Sequence, residues 1–327
     1  MKAIVFRRYG GPEVLEYTDV DQPSAGPGQA LVRVRATSIN AADYRTMRAD
    51  PFLVRLVNGL RRPKKRPILG SDVAGVVEQV GDGVEGLELG DEVFGDSFHD
   101  GMGAFAELVA VRKEALVRKP AGLSFEEAAA VPLAGVTALQ GVRDKGDVQT
   151  GSAVLVQGAG GGVGHLAVQI AKAFGAEVTA VCGAGSVDLV TGLGADRVID
   201  YATEDFTKED QRYDAILGVN GYHPLGAYKR CLKPAGRYVM VGGRNRQIFE
   251  ALLLGRLRFA LGGKTARTLN VDDSLLARDL AQLGELLANR TIKPAIDRTF
   301  RLDEAAEAIR YVEQGHVKGK VVITVSS

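Results

Sequence analysis

Short runs in which apolar residues alternate with polar ones, or stand unbroken, fill the first third of the chain. Lys2–Arg8, Ala30–Ala36, Gly75–Val80 and Ala104–Val111 carry this pattern, which predicts strands. Between them lie Gly10-Gly11-Pro12, Gly26-Pro27-Gly28, Gly81-Asp82-Gly83 and Gly90-Asp91. Such residues supply a positive φ or preset φ for turns. Short strands at this spacing predict a small barrel-like domain over residues 1–120.

The pattern changes after Pro120. Ser124-Phe125-Glu126-Glu127 has the spacing of a capping box and opens a helix, which Pro132 ends or kinks before a second helical segment runs to Gln140. From Ser152 to Gly243, strand-like runs alternate with helical stretches, the mark of a parallel sheet covered on both faces. The runs are Ala153–Gln157, Glu177–Cys182, Asp196–Asp200, Tyr213–Val219 and Gly236–Gly243. Beyond them the chain is expected to leave this sheet. Asp303 is placed as the cap of a helix over Glu304–Gln314 that Gly315 stops. A last strand, Lys320–Val325, has no crossover partner left and is expected to return to the first domain. The expected division is therefore 1–120, 121–265 for the sheet domain, and 266–327 for the return.

Residues 51–66 and 247–261 mix apolar side chains with arginines and lysines. A substrate-flanking lid or a membrane-surface helix would give this pattern. The reading preferred on composition is a core-facing helix with a solvated basic edge.

Composition narrows the function classes. A chain of 327 residues, 46% hydrophobic and 25% charged, fits a soluble protein of two domains. Its net charge of +1 gives no general nucleic-acid surface, and 6% aromatic residues without tryptophan give little for base stacking. Cys182 and Cys231 cannot build a disulfide framework, which points to a cytoplasmic protein. The apolar run at the N-terminus is too short for a signal sequence or a membrane span.

The strongest chemical signal is the glycine-dense turn after Ala153–Gln157. Ala159, Gly160, Gly161, Gly162, Val163 and Gly164 lead straight into a helical stretch, with Ala159, Gly161 and Gly164 at the spacing of the dinucleotide fingerprint. Small residues allow the tight turn, close approach of backbone to pyrophosphate, and helix–strand contact. An NAD site carries an acid at the end of the second strand. Here that end reads Cys182-Gly183-Ala184-Gly185-Ser186, so a 2′-phosphate meets no like charge, and Ser186 can hydrogen-bond it. NADPH is the expected cofactor. Val219-Asn220 and Gly242-Gly243 end the fourth and fifth strands, on the edge where such sheets bind ligands. Lys318 or Lys320 could add positive charge for the phosphates.

Taken together, Ser38–Asp43, Gly70–Gly75, Gly90–Val93, Gly135–Ala138, the Gln157–Gly164 loop and Leu193–Asp196 resemble the medium-chain dehydrogenase/reductase family, within it the zinc-independent quinone oxidoreductase and enone reductase branch. The resemblance covers essentially the whole chain. It implies an α/β protein with a GroES-like, β-barrel-type catalytic domain and a doubly wound Rossmann nucleotide-binding domain. Zinc members place a cysteine just after the strand ending near Asn40, Gly-His-Glu where Gly70-Ser71-Asp72 stands, and a cysteine-rich lobe near residues 95–105; this chain has none of these. His99 and Asp72 are then loop or hydrogen-bonding residues, and no metal is expected. Hydride chemistry without a Lewis acid suits already polarised acceptors, conjugated enones and quinones. The resemblance gives Asn40 the role of donor to a developing enolate oxygen, Tyr44 that of proton donor, and Asp43 that of orienting its loop. Relatives carry their tyrosine two positions later, at Thr46, so water is the other proton source. It also sets Thr137 near the nicotinamide and Tyr201 near the adenosine phosphate. An enoyl-thioester reductase and an NADPH-binding sensor with little turnover are the alternative functions. The apolar fifth strand suits edge-to-edge pairing, which predicts a homodimer.

Overall fold

A computed structural model describes residues 1–64, 67–243, 250, 259 and 263–325. The chain divides into two compact units, Met1–Ala134 with Asp273–Ser327, and Gly135–Asp272. The first break falls after Ala134, inside the helix Pro132–Gln140, rather than at the expected Pro120. The capping-box helix, Phe125–Ala129, lies against strands of the first unit and so belongs to it.

The first unit is built on β strands. β1 (Lys2–Phe6) and β2 (Leu15–Asp19) form an antiparallel pair. The main sheet uses β3 (Gln29–Ser38), β4 (Asp72–Val80), β5 (Glu92–Asp96), β6 (Leu108–Arg112) and β7 (Leu116–Arg118). β3 is its centre: β4 and β6 pair with it antiparallel. The residues after β3 form a helix, α1 (Ala41–Arg48), rather than the expected loop. Asn40 and Asp43 make the reciprocal capping contacts that satisfy its first N–H groups.

A second short helix, α2 (Val54–Asn58), corrects the reading of residues 51–66. Phe52, Leu53, Leu56, Val57 and Leu60 are 53–64% exposed, so this segment does not turn its apolar side chains to a core. The Arg55 guanidinium instead lies over the rings of Tyr9 and Phe52, at 4.8 and 5.2 Å. Most of 247–261 lies outside the described residues.

α3 is Phe125–Ala129 and α4 is Pro132–Gln140. The second unit holds β8 (Ala153–Gln157), α5 (Gly164–Ala173), β9 (Glu177–Cys182), α6 (Val187–Gly192) and β10 (Arg197–Asp200). β11 (Tyr213–Gly218), α7 (Leu225–Cys231), β12 (Leu232–Met240) and β13 (Thr265–Thr268) follow. The sheet is parallel throughout, in the order β10-β9-β8-β11-β12-β13. Its apolar strands are buried in the manner of a sheet covered by helices. Under β11 and β12, Tyr228 stacks on Tyr238 at 4.3 Å and Phe206 lies at 6.1 Å from Tyr228.

Two expectations fail here. The chain does not leave this sheet after its fifth strand: β13 joins it, parallel to β12. The fifth strand is therefore flanked on both sides, and β13 is the edge at that end of the sheet, β10 at the other.

The first unit is completed by α8 (Leu276–Ala288), β14 (Ile296–Arg301), α9 (Ala305–Glu313) and β15 (Lys320–Thr324). The capping contact before α9 is made by Glu304, not Asp303: its Oε2 accepts from Arg301 N at 2.8 Å. β15 returns as expected and pairs antiparallel with β3, Val322 facing Ser38. Among the described residues no helix is long and apolar enough to cross a membrane.

Candidate active site

The topology of the first unit gathers three distant stretches of chain. β4 and β15 both run antiparallel to β3, so the end of β3 meets the start of each. Asn40, Asp72 and Lys320 therefore converge although 280 residues separate the first from the last.

Asn40 is half-buried and its side chain is held at both ends. Its Nδ2 donates to Asp72 Oδ2 at 2.7 Å, and its Oδ1 accepts from Lys320 Nζ at 2.6 Å. The Lys320 ammonium also donates to the Ile39 carbonyl at 3.1 Å and lies 3.2 Å from Asp72 Oδ2. Asp72 in turn accepts from Leu133 N at 2.7 Å and from the Ser38 hydroxyl. With side chains 2% and 0% exposed, Lys320 and Asp72 are a buried ion pair whose hydrogen-bonding capacity is filled from within the unit.

This corrects the assignment of Lys320 to a cofactor phosphate: all three ammonium protons are engaged. Lys318, two residues earlier, is exposed in the same unit.

Asp43 sits at the third position of α1. Its Oδ2 accepts from Asn40 N at 2.7 Å and its Oδ1 from Gly70 N at 2.9 Å. Burial pushes its carboxyl up to about 7, against the pull of those two N–H donors, and the Asp72 carboxylate adds to the rise. It orients the entry to α1 rather than a loop. Tyr44 follows on α1, half-buried; burial raises its phenol above the usual tyrosine value, with Arg45 acting in the opposite sense. Thr46 is buried. Asp96, facing Asp72 across β4 and β5, is buried and held well above the carboxylate range by burial first and by Asp72 second.

The donor set does not fit zinc. Among the described residues no three histidine, cysteine, aspartate or glutamate side chains gather as metal ligands, and Asp72 already receives an ammonium. His99 lies 3.9 Å from Asp273 and packs edge-on against Phe98 at 5.1 Å. Burial raises both thiols, Cys231 to about 11, which leaves each a protonated core residue.

In the second unit the loop from Gly158 to Gly164 fits a dinucleotide. A Cβ on Gly164 would stand 2.1 Å from the Gly158 carbonyl oxygen, and one on Gly160 would stand 2.5 Å from the Ser186 side chain. Gly158 has φ +81°. Gly161 is different: a Cβ there would meet nothing nearer than 3.5 Å, which leaves an open face on the turn. The N–H groups of Gly162, Val163 and Gly164 find no backbone acceptor among the described residues, and they lie at the start of the ten-residue helix α5. N–H groups left open at a helix start are suited to receive the oxygens of a pyrophosphate. Ala159 is buried beneath it, its N–H bonded to the Val181 carbonyl at 3.0 Å.

The remaining positions surround this loop in part. Val219 N and Asn220 N donate to the Gln157 carbonyl at 3.0 and 3.3 Å, which ties the end of β11 to the end of β8. Gly242 N donates to Gly218 at the end of β11. Gly243, φ +132°, borders residues outside the description. Cys182 ends β9, and a Cβ on Gly183 would stand 2.9 Å from the Tyr201 hydroxyl. Tyr201 is 69% exposed. Thr137 is half-buried on α4. Two groups escaped the sequence reading. Gln157 Oε1 accepts from the buried Tyr228 hydroxyl at 2.7 Å. Asp200 stands opposite Cys182 in the sheet register, with its Oδ1 accepting from Ala202 N at 3.0 Å.

Comparison with known proteins adds the family. The family model of the alcohol dehydrogenase GroES-like domain matches residues 26–121, and that of the zinc-binding dehydrogenase domain matches residues 193–323. The chain is 34% identical to the 2-methylene-furan-3-one reductase of Solanum lycopersicum, over 99% of this chain and 79% of that protein. The solved quinone oxidoreductase from Coxiella burnetii superposes with a TM-score of 0.88 at 32% identity, covering 100% of this chain and 99% of that one. A solved NAD-dependent alcohol dehydrogenase superposes with a TM-score of 0.85 at 31% identity, over 100% of both chains.

Proposed function

Because the chain belongs to the medium-chain dehydrogenase/reductase family and is an oxidoreductase, we propose that it is an NADPH-dependent, zinc-free reductase of quinones or α,β-unsaturated carbonyls. One observation carries this reading. The group offered to a substrate oxygen is a clamped, half-buried amide beside an ammonium, with no metal-ligand cluster among the described residues. An amide N–H suffices where conjugation spreads the developing charge onto oxygen, but it is a weak substitute for a Lewis acid on an unactivated alcohol.

NADPH, when bound at the glycine loop, supplies the hydride. The chain does the rest. Gly162, Val163 and Gly164 offer N–H groups to the pyrophosphate, and Ser186 lies beside Gly160 with no acid between Gly183 and Ser186. Asp200 is turned into its own turn by Ala202 N, which lessens its repulsion of a 2′-phosphate. Asn40 donates to the substrate oxygen, and Tyr44 or water returns the proton. Neither thiol enters the mechanism. A homodimer formed by this sheet would use the edge strand β13, giving twice the 34.7 kDa chain mass in solution.

The test is a spectrophotometric screen of NADPH and NADH oxidation against benzoquinones, alkenals and cyclic enones. Turnover of one of these classes with NADPH preferred supports the reading. Tight NADPH binding with no turnover of any class overturns it in favour of a sensor, and equal efficiency with NADH overturns the cofactor assignment.

A further inference from the structure

We propose that Lys320 and Asp72 are positioning residues that lock the orientation of the Asn40 amide and polarise it, so that one particular N–H is presented to the substrate oxygen. The inference rests on the reading of Asn40 just given and deepens it.

A carboxamide has two similar ends, one accepting and one donating, and in a neutral polar pocket either can face a given neighbour. Here the choice is forced. An ammonium has only donors, so the end facing Lys320 Nζ at 2.6 Å must be oxygen; a carboxylate has only acceptors, so the end facing Asp72 Oδ2 at 2.7 Å must be nitrogen. Reversing the amide would set N–H against N–H and oxygen against oxygen. One amide hydrogen is spent on Asp72, which leaves a single N–H. The Asp43 carboxylate fixes the backbone of the same residue through Asn40 N.

Burial separates the roles. Ser38, Asp43 and Asp72 are 0% exposed and Lys320 2%, while Asn40 is half-buried. The buried charges can therefore act on a substrate only through the amide. An ammonium drawing electron density from Oδ1 makes the remaining N–H a stronger donor, by the mutual polarisation of chained hydrogen bonds. Stability alone does not call for this arrangement, because apolar residues of similar size often replace a buried ion pair without loss. Removing one partner alone is harmful, so the design of the variants matters.

The experiment is a double-mutant cycle between Asn40→Ala and Lys320→Met, read as kcat and acceptor KM with NADPH and the best acceptor of the screen. Lys320→Met is expected to lower kcat about 10- to 100-fold with acceptor KM within about 3-fold, and to have no further effect once Asn40 is alanine. NADPH affinity, read by fluorescence, is expected to stay unchanged. A second readout needs no cofactor: in protein selectively labelled with 15N-asparagine, the Asn40 side-chain amide pair should be widely split, and should collapse in Lys320→Met. Should that variant fail to fold, Lys320→Gln with Asp72→Asn removes both charges together and carries the same two readouts. Additive losses from Lys320→Met and Asn40→Ala would overturn the positioning role alone, as would an unaltered amide signal. An Asn40→Ala variant with undiminished kcat would overturn the reading of Asn40 on which it rests.

Discussion

The two functional regions are made from opposite materials. The loop at residues 158–164 is defined by what it lacks: a Cβ on Gly164 would collide with the Gly158 carbonyl at 2.1 Å, and in the proposed function the cofactor is met by backbone N–H groups. The Asn40 cluster is centred on side chains, an amide, a carboxylate and an ammonium brought from positions 40, 72 and 320, with the Ile39 carbonyl and Leu133 N as backbone partners. A backbone site is specified within a few consecutive residues. A side-chain site of this kind exists only once three strands have paired.

That difference can be tested where its energies are greatest. Asp43 binds its proton more tightly in the fold, its carboxyl standing at about 7 against 3.8 in a model peptide. The folded chain then holds a proton the unfolded chain has lost. The associated stability is complete below about pH 4 and is lost as pH rises through 7, by up to about 4 kcal/mol. Denaturant titrations at pH 4 and pH 8 should show the parent protein losing that much more stability than Asp43→Asn. Equal losses would mean that the carboxyl is not desolvated as described.

Next in size, Asn40→Ala should cut kcat by about 10²- to 10³-fold, the usual cost of one oxyanion donor, while NADPH affinity holds. A rise in acceptor KM with kcat unchanged would make Asn40 a binding group only. Gly164→Ala should do the reverse. It should weaken NADPH binding and lower the melting temperature through overpacking of about 1–3 kcal/mol, and leave the NMR signature of the Asn40 amide intact. The smallest effect belongs to Ser186→Ala, expected to narrow the preference for NADPH over NADH by about 1 kcal/mol, one hydrogen bond. If it lowers efficiency with both coenzymes equally, Ser186 holds something other than the 2′-phosphate.

How much the sequence disclosed follows from the same contrast. The glycine loop and four of the six strands of its sheet were readable from local pattern, because each requirement is met by neighbours in the chain. β13 was not: Thr265-Ala-Arg-Thr268 is four residues long, partly exposed, and carries neither alternation nor a continuous apolar run. β12 was read too late, at Gly236, because Pro234 and Gly236 interrupt its first half. The signal for α1 is present, since Asn40-Ala-Ala-Asp43 has capping spacing, but the residues after it lack the apolar periodicity of a helix.

Lys320 shows the limit most plainly. A lysine near the C-terminus reads as a solvated charge available to phosphate, and only the antiparallel return of β15 along β3 reveals that it is buried. One hint is present: Lys320 and Asp72 each open a strand whose next three residues are apolar or glycine-sized, and two opposite charges at the mouths of strands flanking the same neighbour are well placed to pair. Residues 52–60 mislead in the opposite sense, because their apolar character suggested a core where the fold leaves them exposed.

The most direct measurement of the central claim is the rate of NADPH oxidation by the acceptor of the screen before and after exhaustive chelation and dialysis. The account predicts an unchanged rate that added Zn²⁺ does not raise, since Lys320 supplies the only positive charge the amide needs. Loss of turnover on chelation, restored by Zn²⁺, would contradict it.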